Sequence, residues 1–501
     1  MAIRQWAFSF SLACLIASFA PVKAAQDPTL YPNYRPIRDN LLWSRSIHSL
    51  EPSAKDVLKP FFNYKFYLPE EQLRAAMGHV GSSIRLRKFA MDLIQGSRPL
   101  KIGAVGGSIT FGTGASKIRE TDWWSVFADW LASSARGNIT SQNGAVCGTP
   151  SAYMAICLEN SLTPDVDLVF LEYAWNDAFD DQIVNNRPVV DMERLIRRIL
   201  NFPSRPAVVL MQVALVTDQL AAAGPFYRTV EDVESVLASY YDLSYLSNRN
   251  GLYQLAVHTP TAGFTFPDVF VDHHPGDTGH KIMADIGAYM IQNAILSVLL
   301  SPLSTTEWTR LGEPLIPPMY PNNEVPPGVV CTSGDPLKKL VVASDGWEWK
   351  NEGTDIKPKW GYVSYAPGSK LVLRVGTERP SVRPASRIPV LIHYLGSYEF
   401  MGTVLVTCQS GCTCNPREID GTIARRVSQT FFAQVEASQA EVCDIVITLL
   451  DKTTSNGHHF KVSGIVVSDT DSINSVFHRE KHLMNNDGHP TSFNLLRQQY
   501  G

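Results

Sequence analysis

The chain is predicted to be an α/β protein with a doubly wound parallel sheet, followed by a C-terminal antiparallel β-sandwich or jelly-roll domain. Three observations predict it. Between Lys101 and about Leu299, short apolar runs alternate with stretches of helical periodicity, the pattern of βαβ units. After a proline-rich break at residues 301–330, the texture changes to short β-rich runs divided by Gly, Ser, Asn and Pro turns. The 501 residues also exceed what one hydrophobic core organises, which points to two domains with connecting segments.

Residues 1–24 read as an export signal. Arg4 lies in the first five residues, Trp6 to Ala20 is apolar, and Val22-Lys23-Ala24 supplies small residues for cleavage after Ala24 or Ala25. The apolar run is shorter than the roughly 20 residues a bilayer core requires, and no later segment reads as a membrane span. Removing the signal takes Arg4 and Lys23 and no anion, so a formal charge of −4, from 44 Lys and Arg against 48 Asp and Glu, becomes −6. There is no basic excess to meet a phosphate backbone, which speaks against nucleic acid as a partner. The sequence carries no signal of oligomeric state.

Residues 25–99 mix aromatics and prolines, as in Tyr31-Pro32-Asn33-Tyr34-Arg35-Pro36, with a helical stretch from Pro69, and read as an extension packing on the core. The core itself spans residues 100–300. Lys101 to Gly106 (KIGAVG) is a buried strand feeding a tight turn. Thr121 to Ser134 is a helix capped by Thr121 or Asp122. Strands follow at Val166–Leu171, Ala207–Val213 and Leu252–Val257, with helices at Val189–Leu200, Val230–Tyr241 and Asp277 to about Leu299. Residues 301–330 hold seven prolines without periodicity and read as a stiff linker. In 331–470 the β-rich runs are Lys339–Ala343, Lys370–Val375, Val390–Tyr394, Thr403–Thr407, Cys443–Leu449 and Lys461–Val467. A polar tail occupies 471–501.

Export favours disulfides over metal thiolates. Cys14 leaves with the signal, and Cys147, Cys157, Cys331, Cys408, Cys412, Cys414 and Cys443 remain, an odd set with at least one free thiol or an intermolecular bond. Cys412 and Cys414 have no Cys or His at a zinc-ribbon spacing and read as disulfide partners. Cys147 and Cys157 are close enough in sequence to bridge a loop to the next helix. Asn138-Ile139-Thr140 is a glycosylation sequon.

Four segments carry chemistry. A serine hydroxyl needs a base held in one tautomer, and the oxyanion it generates needs preorganised donors. Gly106-Gly107-Ser108-Ile109-Thr110 ends the first strand, where glycines let the backbone turn sharply and project Ser108; a plain capping serine is the alternative. Asn143-Gly144-Ala145-Val146-Cys147-Gly148 can present the Gly148 N–H to a reacting oxygen. Glu172-Tyr173-Ala174-Trp175-Asn176-Asp177 follows the next strand and offers the neutral amide of Asn176, or merely a turn. Asp272-His273-His274-Pro275-Gly276-Asp277-Thr278-Gly279-His280 offers an imidazole beside a carboxylate. Its three histidines and Asp272 also permit a metal site, but the serine block would then have no role.

In this order the four blocks, from Lys101 to about Leu296, resemble the SGNH (GDSL-like) hydrolases. The resemblance implies a flavodoxin-like sheet, with Ser108 as nucleophile and first oxyanion donor. It implies Gly148 and Asn176 as the other donors, His274 as base, and no cofactor or metal. This sequence departs from the family in three places. Gly107 stands where the name motif has Asp, and Ala174 where a glycine often precedes the asparagine. Val271 stands where the family places its carboxylate, three residues before the histidine. Either Asp272 orients His274 from a shorter loop, or Asp268 or a backbone carbonyl does so.

The β-rich region carries Trp347, Trp349, Trp360, Tyr362 and Tyr365, either core residues or a stacking surface for sugars. It is similar to domains appended to SGNH proteins of plants and algae. The expected function is therefore a secreted ester hydrolase, extracellular or in the cell wall, removing small acyl groups, acetyl above all, from a polysaccharide. Acyl transfer to a sugar, or sugar binding without catalysis on a degenerate hydrolase scaffold, are the rival readings.

Overall fold

The computed structural model describes residues 52–177, 186–213, 229–323, 329–379, 386–423 and 428–468. The expected signal segment and polar tail lie outside them.

The first sheet has six strands: β1 (Met77–His79), β2 (Leu100–Gly106), β3 (Ile139–Asn143), β4 (Leu168–Glu172), β5 (Ala207–Gln212) and β6 (Ser244–Ser247). Their order is β1-β6-β5-β4-β2-β3; β2 to β6 run parallel, and β1 pairs antiparallel to β6. Successive side chains of a strand face opposite sides, so each strand feeds two cores. Ile102, Ala104, Phe170, Val209 and Met211 join one cluster with the helices Ile84–Gln95, Trp123–Ser134 and Asp277–Leu300. Val105, Val169, Leu171, Val208 and Leu210 join the other, with Ser151–Cys157, Arg187–Leu200 and Val230–Tyr241.

The caps explain where these helices begin. Asp122 accepts from the Ser125 N–H, and Thr229 with Asp232 forms a capping box. Asp277–Leu300 is long and apolar enough to span a bilayer, contrary to the sequence expectation, but 78% of its most apolar window is buried in the protein, as befits a central core helix.

Three other expectations change. Leu252–Val257 is helical rather than a strand: the Ser247 hydroxyl accepts the Asn250 N–H and starts a helix at Asn248–Tyr253, and the strand is β6 just before it. The polar edge strand β3, Ile-Thr-Ser-Gln-Asn, has no apolar run to announce it. The residues before Leu100 do more than pack on the core, for they supply β1 to the sheet and Phe61, Leu68, Leu73 and Phe89 to the core itself.

The segment after residue 300 holds the capped helix Thr305–Gly312. It is then pinned by the buried Glu193 carboxylate, which accepts from the Met319 and Tyr320 N–H groups and, at 2.6 Å, from the Asn323 amide.

Two antiparallel sheets follow. In chain order the strands are β7 (Val330–Ser333), β8 (Val341–Asp345), β9 (Glu348–Asn351), β10 (Trp360–Ser364), β11 (Lys370–Val375), β12 (Ile388–Gly396), β13 (Thr403–Gln409), β14 (Arg417–Asp420), β15 (Gln429–Ala437), β16 (Cys443–Leu449) and β17 (Phe460–Val467). One sheet is ordered β15-β12-β17-β10-β9, with β7 also on β17; the other is β14-β13-β16-β11-β8. Their inner faces share a core that includes Trp347, Tyr362, Ile392, Tyr394, Ile445 and Phe460.

The disulfides are Cys157–Cys331, Cys408–Cys414 and Cys412–Cys443, so Cys157 bonds Cys331 and not Cys147, which remains a thiol. Cys157 ends the Ser151–Cys157 helix, which packs against the β-rich unit: Tyr153 meets the His393 and Phe432 rings, and the Asn160 amide donates to the Cys331 carbonyl at 3.2 Å.

Candidate active site

The carboxyl ends of β2 and β4 and the turn before the Asp277–Leu300 helix meet at one place. β2 ends at Gly106, and Ser108 opens a single helical turn, Ser108–Phe111. The Ser108 hydroxyl lies 2.7 Å from Nε2 of His274. On the other side of that ring, Nδ1 lies 2.8 Å from Oδ1 of Asp272, and the same oxygen accepts the His274 backbone N–H at 2.6 Å. The Asp272 contact calls for the proton on Nδ1, which leaves the Nε2 lone pair for the serine O–H.

The loop geometry explains how a carboxylate two residues away reaches the ring. The Val271 N–H donates to the His274 carbonyl, and Phe270 bridges to Pro275, which folds 270–275 into a tight reversal. Asp272 closes that reversal as an Asx turn. Asp268 is engaged elsewhere, accepting from the Gly263 N–H and from the N–H and hydroxyl of Thr265. Val271, in the family's carboxylate position, is 68% exposed.

The electrostatics fit a neutral base. Burial and the neighbouring His273 hold the His274 imidazole below its ordinary value, while the Asp272 carboxylate pulls the other way. Burial alone would raise Asp272, but the hydrogen bonds and charge of His274 bring its net value below the usual carboxylate range. The two other histidines of the motif serve differently. His280 is buried, receives the Trp123 N–H on Nδ1, and turns Nε2 to the Thr113 carbonyl; burial lowers it to about 4. His273 stacks on Trp175 with ring centroids 4.9 Å apart.

Asn176 lies against the same turn, and the loop that leads to Gly148 is tied to the end of β2 by the Val146 N–H, which donates to the Gly106 carbonyl at 3.0 Å. Asn176 follows β4, and its backbone is fixed by an N–H bond to the Tyr173 carbonyl. Its side-chain amide lies against the Cα of Gly107: a Cβ there would meet Asn176 Oδ1 at 1.9 Å and Cγ at 2.6 Å. This close approach gives the Gly107 departure a physical reason, because any larger residue would displace the amide. Gly148 takes a positive φ of 72°, and its N–H donates to no other described residue. Asp177 ties the two loops together by accepting the Ser151 N–H at 2.8 Å. Such an arrangement can take a proton from Ser108.

Two features escaped the sequence reading. Glu172, at the end of β4, is fully buried, accepts the N–H and hydroxyl of Thr110 in the Ser108–Phe111 turn at 3.2 and 3.0 Å, and is pushed by burial up to about 8. Lys357, from the β9–β10 loop of the second unit, donates to the Thr113 hydroxyl at 3.0 Å. No local motif marks either residue, since both are brought to the site by the fold. Of the aromatics flagged in the β-rich region, Trp347 and Tyr362 are core, whereas Trp360 and Tyr365 are exposed.

No family model matches the chain, and no curated protein matches it in sequence. Solved structures do match. The chain is similar to a two-domain esterase (CEX) active on acetylated mannans, at 18% identity and a TM-score of 0.59, covering 79% of this chain and 99% of that one. A second structure of such an esterase, co-crystallised with mannopentaose, matches at 17% identity and 0.58, over 79% and 98% of the two chains. A lipase/acylhydrolase from Enterococcus faecalis matches at 17% identity and 0.30, over 39% of this chain and 96% of that one. The fold is thus shared with that two-domain structure: a mixed, mainly parallel α/β unit joined to an antiparallel β unit.

Proposed function

We propose that the protein is a secreted serine ester hydrolase of the SGNH type that removes small acyl groups, acetyl above all, from a polysaccharide. The observation that carries this reading is the continuous relay from Ser108 Oγ to His274 Nε2, 2.7 Å, and from His274 Nδ1 to Asp272, 2.8 Å. Its parallel strands β2 to β6 lie in the order β3-β2-β4-β5-β6, which supports a flavodoxin-like sheet.

In this mechanism His274 takes the Ser108 proton as the oxygen attacks the ester carbonyl. The N–H groups of Ser108 and Gly148 and the Asn176 amide receive the developing oxyanion, and His274 returns the proton to the departing alkoxide. Water, activated by the same imidazole, then releases the acyl group from Ser108. The polysaccharide substrate is supported by the shared fold with an esterase active on acetylated mannans and by Trp360 and Tyr365, 46% and 54% exposed.

The test is hydrolysis of a chromogenic acetyl ester by the intact protein and by Ser108→Ala. We expect a loss of about 10⁴-fold or more in kcat. Turnover that survives the substitution at the wild-type rate would falsify the mechanism.

A further inference from the structure

The second unit does not merely sit beside the site. The β9–β10 hairpin extends a loop, residues 352–359, onto the turn that follows Ser108. Lys357 makes two contacts there: its ammonium donates to the Thr113 hydroxyl at 3.0 Å and lies 5.8 Å from the Phe111 ring centroid; its charge also acts on the Cys147 thiol. These contacts place it on the turn that Ser108 begins. The Thr113 N–H donates to the Ser108 carbonyl at 2.9 Å, Phe111 ends the turn that Ser108 begins, and Cys147 precedes the Gly148 donor. Its charge is also felt at both His273 and His274.

The loop holds this lysine in a fixed place. Asn351 Oδ1 accepts the Gly353 and Lys359 N–H groups at 2.9 and 2.7 Å, Glu352 N–H donates to the Lys359 carbonyl, and Thr354 and Lys357 bond each other through N–H to carbonyl and N–H to hydroxyl. A Cβ on Gly353 would stand 2.0 Å from the Lys357 carbonyl oxygen, so the turn closes only around glycine.

Among the described residues no carboxylate lies within ion-pair distance of Lys357, whereas Lys461, Lys281 and Arg249 are each paired with one. Its partners are a hydroxyl and a ring face, both neutral, and burial keeps the Cys147 thiol on which its charge acts protonated. A partly buried cation with spare donors beside a reacting centre is stabilised when a bound anion supplies the missing charge. Lys359, two residues on, is exposed and adds a second positive charge to the same loop.

We infer that Lys357 is a substrate-binding residue, and that it directs the site to acyl esters on glycans carrying an anionic substituent, carboxylate or sulfate, near the ester. This rests on the esterase reading above and narrows its substrate class from polysaccharides at large to acidic ones.

The experiment measures acetate release at low ionic strength from O-acetylated polygalacturonate, from the same polymer with its carboxylates methyl-esterified, and from an O-acetylated sulfated galactan. Wild-type kcat/KM is expected to be about tenfold higher on the acidic polymers than on the neutralised one. The preference should shrink as salt screens charges beyond about 8–10 Å. Lys357→Glu should bring the ratio to one or below, and Lys357→Arg should keep it. A melting curve for each variant, together with the retained preference of the arginine form, separates lost binding from lost folding. Preference for only one acidic polymer would identify the anion as carboxylate or sulfate. A ratio near one in the wild type, a ratio unchanged in Lys357→Glu, or no acetate release from any of the three polymers by protein that still cleaves the chromogenic ester would overturn the inference. None of these would touch the esterase reading, which stands or falls on Ser108→Ala.

Discussion

Replacing Gly107 by alanine tests the oxyanion site without removing any group assigned to it. The added Cβ would stand 1.9 Å from Asn176 Oδ1, short of ordinary contact at 3.4 Å by about 1.5 Å. The loop cannot retreat as a body, because the Asn176 and Asp177 N–H groups both bond the Tyr173 carbonyl at 2.8 Å and Asp177 is tied to the Ser151 N–H. The side-chain amide must therefore rotate away. Misplacement of a catalytic group by about 1 Å costs on the order of 10²-fold, and loss of one oxyanion donor about 10²–10³-fold. Steady-state kinetics on a chromogenic acetyl ester should show that loss in kcat, with KM and melting temperature little changed. Asn176→Ala should lose a similar factor, and the double variant should be no worse than Asn176→Ala alone, since the clash has no partner left. A Gly107→Ala enzyme with near wild-type kcat, or penalties that multiply in the double variant, would refute the placement of Asn176.

Two further outcomes follow from the electrostatics. Asp272→Asn should lower kcat by about 10²–10³-fold, less than the ~10⁴ of a buried triad aspartate, because the Asp272 side chain is 59% exposed and solvent already screens it. Removing a carboxylate that raises the imidazole should also move the acid limb of the pH–rate profile to lower pH; a limb displaced upward would contradict the relay. Glu172, held up at about 8 by burial, keeps its proton in the folded state where the unfolded chain has lost it. Its contribution is complete below about pH 4 and is lost as pH rises to 8, a span on the order of 4–5 kcal/mol. Glu172→Gln should therefore gain melting temperature over the wild type progressively between pH 5 and 8, and a difference that stays constant with pH would exclude this ionisation.

The parallel sheet was legible where burial is two-sided. KIGAVG, DLVFLE and AVVLMQ are continuous apolar runs, and the Val230–Tyr241 helix carries its own cap. Edge strands were not, because β1 and β3 have too little burial to leave a pattern. In the second unit Lys370–Val375 and Cys443–Leu449 coincide with the expected runs, whereas β9 and β14 are short and half exposed. Ser108, Gly148, Asn176 and His274 lie in short local blocks whose order carries the family resemblance, whereas Asp272 was one of three candidate partners for His274, because the reversal at 270–275 that brings its carboxylate to the ring does not show in the sequence. Lys357 and Glu172 acquire their surroundings only through contacts across 244 and 62 positions of chain, and such contacts leave no mark in a local window. The Cys157–Cys331 pairing is hidden for the same reason, with 174 positions between its ends.

That disulfide has a consequence for the order of assembly. Cys331 sits on β7, whose neighbour in the sheet is β17, the last strand of the described chain; β17 also lies between β10 and β12. The core around Ile102, Phe170 and Met211 draws on residues 58–298 alone and can form early in synthesis, whereas the one on the other face of the sheet also takes Leu391, Phe432 and Val466 from the β-rich unit. The seat for β7, and with it the hairpin that carries Lys357, forms only when residues 460–467 have emerged. A chain truncated before Phe460 would keep Ser108, His274 and Asp272 in sequence but would lack the scaffold that brings the lysine to them.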